Sequence, residues 1–299
     1  MADKLVDFIV IGAARSGTTS LFANLRAHPQ IFIPLEKEIC FFSDNDRYQL
    51  GPEWYMGNYF ADVSPDMVTG EITPAYMLFE SVAGRIHRTT PQSKLIALLR
   101  NPIDRAYSHY RFAQRLGIEE RDFQTAIATL FARGRVFDDQ IFSQNKEYLM
   151  FGEYGRILEN YLRYFPKEQI KVLFFENFQK NTTATMKEIF EFLRVQSDFT
   201  SENFSKRQNV GGAVKSKTIL KLQNWLKSNQ KIKKTLLTIF PPNFLGAIDM
   251  WITRKGNVKP TSTSGPTAEE RSQLKAHFEN DVVLLEELLN LKAPWADFF

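Results

Sequence analysis

Three short apolar runs, each followed by a turn and a segment with helical spacing, constrain this chain more than any other feature. The predicted strands cover residues 6–11, 94–100 and 170–175. The helices after them are expected near residues 18–26, from Pro102 onward and over 182–193. Asn101 before Pro102 provides an N-cap and a proline at the first helical position. Repeated strand–turn–helix units predict an α/β fold with a mostly parallel central sheet flanked by helices.

Length and composition narrow the class of protein. A chain of 299 residues with 43% apolar content can bury a large core, and we expect a single domain over residues 1–299. No apolar run is long enough to span a bilayer, and the N-terminus Met1-Ala2-Asp3-Lys4 lacks the features of a secretory signal, so we expect a cytoplasmic protein. The net charge of +4 suits an anionic ligand but is too small to indicate nucleic acid.

The cysteine and histidine content argues against metal chemistry. Cys40 is the only cysteine, which excludes intramolecular disulfides and a cysteine-cluster metal site. The four histidines show no spacing that would place two ligands on one helix face. We therefore expect no bound metal.

A glycine-bounded loop follows the first predicted strand. Gly12 and Gly17 have the spacing of a Walker loop, but Thr18 stands where an ATPase or GTPase has its lysine. Backbone N–H groups at the start of the next helix can bind phosphate without that lysine. Arg15 and the hydroxyls of Thr18, Thr19 and Ser20 add a charge and further donors. The loop therefore favours the phosphate of a nucleotide without γ-phosphate chemistry, and a purely structural turn is the alternative.

A second constellation follows the second predicted strand. Arg100 at the strand end and Ser108 inside the next helix can converge on one phosphate, with a charged and a hydroxyl hydrogen bond. The alternative is that Arg100 forms an ordinary salt bridge and Ser108 has no role in binding.

These segments resemble the sulfotransferases that use 3′-phosphoadenosine 5′-phosphosulfate (PAPS), especially the heparan sulfate branch and its bacterial relatives. The resemblance spans nearly the whole chain and implies a three-layer P-loop-type fold. It assigns the loop Gly12–Leu21, including Arg15, Ser16, Gly17, Thr18, Thr19 and Ser20, to the 5′-phosphosulfate. It assigns the segment Leu98–Tyr110, with Arg100 and Ser108, to the 3′-phosphate. Many members have lysine where this chain has Arg15, and either cation could polarise the bridging oxygen.

The resemblance also supplies a third cofactor segment and a catalytic base. Arg254-Lys255-Gly256 matches the late cofactor-binding stretch, although a solvated basic loop is the open alternative. Glu38 in Glu-x-x-Phe-Phe matches the catalytic glutamate, with Glu36 as its competitor. Relatives often carry lysine where this chain has Ile72, so either Arg15 acts alone or another basic residue enters the site. His109 is a weaker catalytic candidate, more in keeping with a packed histidine.

The sequence thus predicts metal-free transfer of a sulfuryl group from PAPS to a hydroxyl or amine, with Glu38 and Arg15 as catalytic residues and the acceptor, a glycan or a small molecule, left open. One alternative is a P-loop kinase that uses ATP, which would need a lysine at position 18. Another is a non-catalytic module that binds a nucleotide or an anionic polymer through the lysine-rich region 215–234.

Overall fold

The core of the fold is a five-stranded sheet in which every neighbouring pair of strands is parallel. A computed structural model of the chain describes residues 5–61, 63–134, 147–205, 212–214, 258–260 and 265–299. The sheet order is β2-β3-β1-β4-β5. Its strands are β1 Phe8–Gly12, β2 Ile31–Phe32, β3 Val68–Ile72, β4 Lys94–Leu99 and β5 Ile170–Phe174.

Ten α-helices occur in the described residues. They are α1 Thr18–Arg26, α2 Asn45–Gln49, α3 Gly51–Tyr59, α4 Glu80–Thr89, α5 Pro102–Arg115, α6 Phe123–Arg133, α7 Tyr154–Leu162, α8 Phe175–Lys180, α9 Thr182–Leu193 and α10 Ala268–Leu289. The predicted spans of α1 and α9 are confirmed at both ends. The predicted cap of α5 is also confirmed, because the Asn101 side chain accepts the backbone N–H groups of Ile103 and Asp104.

The sheet is covered on both faces, which explains why its strands are apolar without alternation. Successive residues of a strand point to opposite faces, and β1 accordingly divides its side chains between two separate clusters. Phe8 and Val10 join one cluster with side chains of α1 and α9. Ile9 and Ile11 join the other with side chains of α4, α5, α7 and α10. The predicted three-layer arrangement is confirmed.

Strands β2 and β3 were not predicted, for two physical reasons. Strand β2 has only two residues, and β3 interrupts its apolar side chains with Gly70 and Glu71. Gly70 is required by packing, since a Cβ there would lie 2.3 Å from Cζ of Phe8. The close fit of Gly70 against β1 is a long-range property that a local apolar pattern does not report.

The stretch 255–267, predicted as a loop, contains one further strand. Strand β7, Val258–Pro260, pairs antiparallel with β6, Gly212–Val214, so the loop prediction is wrong for these three residues. The pairing joins segments far apart in sequence, which explains why local composition missed it. Among the helices in the described ranges, none is long and apolar enough to cross a bilayer. The single domain and the cytoplasmic location stay predictions.

Candidate active site

A cavity of about 940 Å³ opens at the carboxyl ends of β1 and β4, the edge where parallel sheets of this kind bind ligands. Residues from all three predicted segments within the described chain line it. The loop after β1 contributes Arg15, Gly17, Thr18, Thr19 and Ser20. The other segments contribute Glu38, Arg100 and Ser108. The structure therefore brings the candidate base and both candidate phosphate sites into one cavity.

The phosphate loop has a backbone that only glycine suits at its end. Gly17 is the N-cap of α1 with φ +87, in the left-handed region. A Cβ at this position would also lie 2.8 Å from the ring of Phe175. The N–H groups of Thr18 and Thr19 begin the helix and have no intrahelical acceptor, so they can donate to a bound anion.

Ser16 differs from the other residues predicted in the loop. Its side chain is fully buried, and its N–H donates to the Ala13 carbonyl at 3.2 Å. It supports the loop from behind and is not among the described residues that line the cavity. Direct contact of Ser16 with a ligand stays a prediction.

Positive charge is concentrated around Arg15. Burial lowers the pKa of its guanidinium, and the charges of Arg115, Arg100 and Arg105 lower it further. The guanidinium carbon lies 4.4 Å from the ring centroid of Phe112, a cation–π contact. Partly buried cations with cationic neighbours are costly without an anion, and the arrangement therefore favours a strongly anionic ligand.

Arg100 connects the two predicted phosphate segments. Its Nη1 donates to the carbonyl oxygen of Arg15 at 3.3 Å, and its guanidinium carbon lies 5.1 Å from the Phe175 ring centroid. Ser108 lines the same cavity from α5. Arg100 and Ser108 therefore reach one cavity, as the sequence predicted.

Glu38 lies at the cavity with its side chain 54% exposed and its backbone in the left-handed region, φ +67. Its charge raises the pKa of Arg15, opposing the larger effects, so the two groups interact. Glu36 is the poorer candidate: it forms an ion pair with Arg47 at 3.7 Å and does not line the cavity in the described chain.

A buried carboxyl group anchors the segment that carries Glu38. Glu71 is 1% exposed and accepts hydrogen bonds from the Tyr76 hydroxyl (2.9 Å) and the Thr73 hydroxyl (3.5 Å). The same hydroxyls accept the backbone N–H groups of Phe42 and Cys40 at 3.2 and 3.5 Å. Burial raises the pKa of Glu71 to about 7. The segment Gly70–Tyr76 thus holds the following turn of the Glu38 loop in place.

Lys37 is the functional candidate that the sequence analysis missed. Its Nζ lies 2.6 Å from Oε1 of Glu38, its side chain is 15% exposed, and it lines the cavity. Ile72, by contrast, is buried in the sheet, and only its carbonyl approaches the site, accepting the Glu38 N–H at 3.1 Å. The dipeptide Lys37-Glu38 was the available signal, because a lysine next to the candidate base is long enough to pair with it and reach the same cavity.

The remaining predictions have mixed outcomes. His109 lines the cavity but is 4% exposed and packs against the rings of Tyr148 and Phe151. Arg254, Lys255 and Gly256 lie outside the described residues, as does the lysine-rich region 215–234. Within the described ranges, no group of three or more His, Cys, Asp or Glu side chains could hold a metal ion.

A parallel sheet with a glycine-bounded anion loop, two cavity-facing arginines and a nearby carboxylate defines an α/β protein built for an anionic, nucleotide-like ligand. The chain belongs to the sulfotransferase family, since the family model for the sulfotransferase domain matches residues 5–237. This confirms the predicted family.

Two curated relatives show the extent of the similarity. A bifunctional heparan sulfate N-deacetylase/N-sulfotransferase of Drosophila melanogaster is 28% identical over 214 residues, which cover 65% of this chain and 20% of that protein. Heparan sulfate glucosamine 3-O-sulfotransferase 5 of Mus musculus is 31% identical over 175 residues, which cover 58% of this chain and 49% of that protein. The matched region therefore spans between a fifth and a half of these relatives.

Solved structures confirm the predicted fold. A sulfotransferase from Alicyclobacillus acidocaldarius superposes with a TM-score of 0.67 at 23% identity, covering 96% of this chain and 97% of the other. A mouse sulfotransferase complexed with PAP superposes with a TM-score of 0.53 at 15% identity, covering 96% and 90%.

Proposed function

We propose that this chain transfers a sulfuryl group from PAPS to a hydroxyl or amine of an acceptor. One observation carries the proposal: the anion loop, the Arg100–Ser108 pair and Glu38 line a single cavity. Membership of the sulfotransferase family supports this reaction over a kinase, as does Thr18 in the position of the Walker lysine.

We place the donor in the cavity by matching its two anionic ends to the two groups of cationic and hydroxyl side chains. The 5′-phosphosulfate lies against Arg15 and the first N–H groups of α1, where the helix dipole adds to the guanidinium charge. The 3′-phosphate lies between Arg100 and Ser108. That a related mouse enzyme was solved with PAP, the desulfonated donor, supports this assignment. A bound nucleotide would also offset the charge repulsion around Arg15.

Transfer needs a nucleophile in line with the leaving phosphate and a group that takes its proton. The acceptor oxygen or nitrogen forms a bond to sulfur while the bond from sulfur to the phosphate oxygen breaks. Glu38 takes the proton of the acceptor, and the electron pair of the broken bond stays on PAP. Products are the sulfated acceptor and PAP.

Two cations stabilise the charge that develops in this step. Arg15 in the loop faces the leaving phosphate, and Lys37 beside Glu38 faces the sulfuryl oxygens. Lys37 thereby provides the second basic residue that Ile72 does not. With this charge in place, we propose that the reaction proceeds without a metal ion.

The first acceptors to test are suggested by the curated relatives, since no motif in the sequence identifies the acceptor. The curated relatives have names that refer to heparan sulfate and its glucosamine. Glycans with free amines and hydroxyls are therefore the first acceptors to test, followed by small-molecule alcohols.

Isothermal titration calorimetry tests the donor assignment directly. We expect PAP to bind without added metal and ATP with magnesium to bind much more weakly. Transfer of labelled sulfate from PAPS to a panel of glycans and alcohols then tests the reaction. Tight ATP binding together with absent PAP binding would favour the kinase alternative.

A further inference from the structure

The C-terminal segment, residues 290–299, packs against the corner between β4 and α5, which carries Arg100. The family match ends at residue 237, so this segment lies beyond it. Trp295 is 1% exposed, and its ring contacts those of Tyr154 and Phe174 at centroid distances of 5.9 and 5.4 Å. A segment beyond the family match is thus part of the core behind the predicted 3′-phosphate site.

Asp297 makes the first polar connection to that corner. Its Oδ2 accepts a hydrogen bond from Nδ2 of Asn101 at 2.7 Å and another from Nη1 of Arg271 at 2.6 Å. Arg271 also donates to Asp104 in the first turn of α5, at 2.5 Å. Asp297 therefore ties the C-terminal segment and α10 to the start of α5.

Glu176 makes the second connection. Its Oε1 accepts the backbone N–H of Asn101 at 2.9 Å, and its Oε2 accepts Nε1–H of Trp295 at 3.1 Å. Glu176 follows Phe175, whose ring lies under the Arg100 guanidinium. One carboxylate thus links the C-terminal segment to the backbone next to Arg100.

These contacts leave the residue after Arg100 little freedom. The amide of Asn101 is held on both sides, because its oxygen accepts the N–H groups that begin α5 while its nitrogen donates to Asp297. The carbonyl of Arg100 itself accepts the Tyr154 hydroxyl at 3.0 Å. The backbone around Arg100 is therefore fixed by side chains from α5, α7, α8 and the C-terminal segment.

We propose that Asp297 and Trp295 are positioning residues for recognition of the 3′-phosphate, acting through Asn101 and Glu176 on Arg100. The inference rests on the proposed function. A charged hydrogen bond to phosphate depends on tight placement of the guanidinium, and such placement requires supporting contacts that hold the backbone. The C-terminal segment thereby sets the preference for a nucleotide that carries a 3′-phosphate.

The test measures affinities for PAP and adenosine 5′-phosphate, which lacks the 3′-phosphate, by calorimetry. Asp297→Ala should weaken PAP binding about tenfold while affinity for adenosine 5′-phosphate is unchanged, since only the charged contact made by Arg100 is impaired. Trp295→Phe removes the donor to Glu176, keeps an aromatic ring, and should act in the same direction. It also serves as the measurement if Asp297→Ala fails to fold.

Two controls separate positioning from general stability. Asp281 in α10 is a carboxylate away from this corner, and it accepts the N–H groups of Gly155 and Arg156. Asp281→Ala should lower the melting temperature without changing the ratio of the two affinities. In an Arg100→Ala background, Asp297→Ala should no longer affect PAP binding, because residues that act through one group are not additive.

The outcomes distinguish this inference from the proposed function. Equal affinity of the unmodified protein for both nucleotides would remove the 3′-phosphate site, and with it the proposed function. If the unmodified protein discriminates but Asp297→Ala and Trp295→Phe keep the full ratio, the inference is overturned. Additive effects of Asp297→Ala and Arg100→Ala would overturn it as well.

Discussion

Arg100 donates a hydrogen bond to the carbonyl oxygen of Arg15, across 3.3 Å and 85 residues of sequence. The loop after β1 and the corner after β4 are therefore in direct contact. The proposed sites for the two ends of the donor therefore adjoin within one cavity.

Replacement of Arg100 by alanine is expected to weaken PAP binding roughly 10- to 150-fold, since a hydrogen bond to a charged group contributes about 1.5–3 kcal/mol. Ser108→Ala should act in the same direction with a smaller effect, because it removes a neutral donor. Calorimetry with PAP measures both, and circular dichroism checks that the fold is kept. Unchanged PAP affinity in Arg100→Ala would contradict the assignment of this residue.

Replacement of Glu38 by glutamine should lower the transfer rate by about 10²–10⁴-fold while PAP affinity is retained, because the amide keeps the size of the carboxylate but cannot take a proton. Initial rates with labelled PAPS and calorimetry with PAP separate the two effects. Glu36→Gln is the matched control, since Glu36 is paired with Arg47 and does not line the cavity within the described chain. An inactive Glu36→Gln beside an active Glu38→Gln would assign the base to Glu36.

Lys37→Met is expected to reduce the transfer rate by about 10²-fold, a typical effect of removing one group that stabilises the transition state. PAP affinity should change little, because PAP lacks the sulfuryl group that Lys37 is proposed to stabilise. Lys187→Met serves as the control, since Lys187 lies 4.0 Å from Glu191 on the exposed side of α9. A loss of PAP affinity with no loss of rate would place Lys37 at the nucleotide instead.

Chelation should leave the reaction intact. In the proposed mechanism, Arg15 and the N–H groups of α1 stabilise the leaving phosphate and Lys37 stabilises the sulfuryl oxygens, so donor-dependent transfer is expected to persist in excess EDTA. The initial rates of transfer from labelled PAPS, measured before and after addition of EDTA, test this prediction. Activity that disappears with EDTA and returns with magnesium would contradict metal-free transfer.

Stability should depend on pH through Glu71. Burial raises the pKa of this carboxyl group from its ordinary 4.5 to about 7. The folded state then keeps a proton that the unfolded state loses, so the stabilising contribution is complete below about pH 4.5 and is lost as the pH rises through 7. The loss amounts to roughly 3 kcal/mol.

Glu71→Gln should remove that slope, because glutamine stays neutral and still accepts a hydrogen bond from Tyr76. Urea unfolding at pH 5, 6, 7 and 8 measures the free energy of unfolding at each pH. Glu36→Gln, a change at an exposed carboxylate, is the control. A variant whose unfolding free energy falls with pH as steeply as that of the unmodified protein would assign the dependence to another group.

The sequence was sufficient to predict which residues reach the cavity where their positions depend on strand ends and helix starts. Arg15 and Arg100 each follow a strand closely, Ser108 lies in the helix after Arg100, and parallel strands bring their carboxyl ends to one edge. Helices α1 and α9 were predicted at both ends because their apolar spacing and flanking residues are local signals.

The sequence was insufficient where side chains meet through long-range contacts. The turn that follows Lys37 and Glu38 is held by Thr73 and Tyr76, whose contacts with Cys40 and Phe42 cross 33 and 34 positions. Asp297 reaches Asn101, and Trp295 reaches Glu176, across 196 and 119 positions of sequence. Neither arrangement leaves a periodic pattern or a motif in the sequence.

The indole of Trp295 is also an intrinsic fluorophore next to the proposed donor site. Its Nε1–H is bonded to Glu176, whose other oxygen holds the backbone beside Arg100. A nucleotide that shifts this corner changes the electric field and the hydrogen bond at the ring, and both alter the colour of indole emission. Donor binding is therefore expected to shift the emission of Trp295, and an unlabelled fluorescence titration measures this shift.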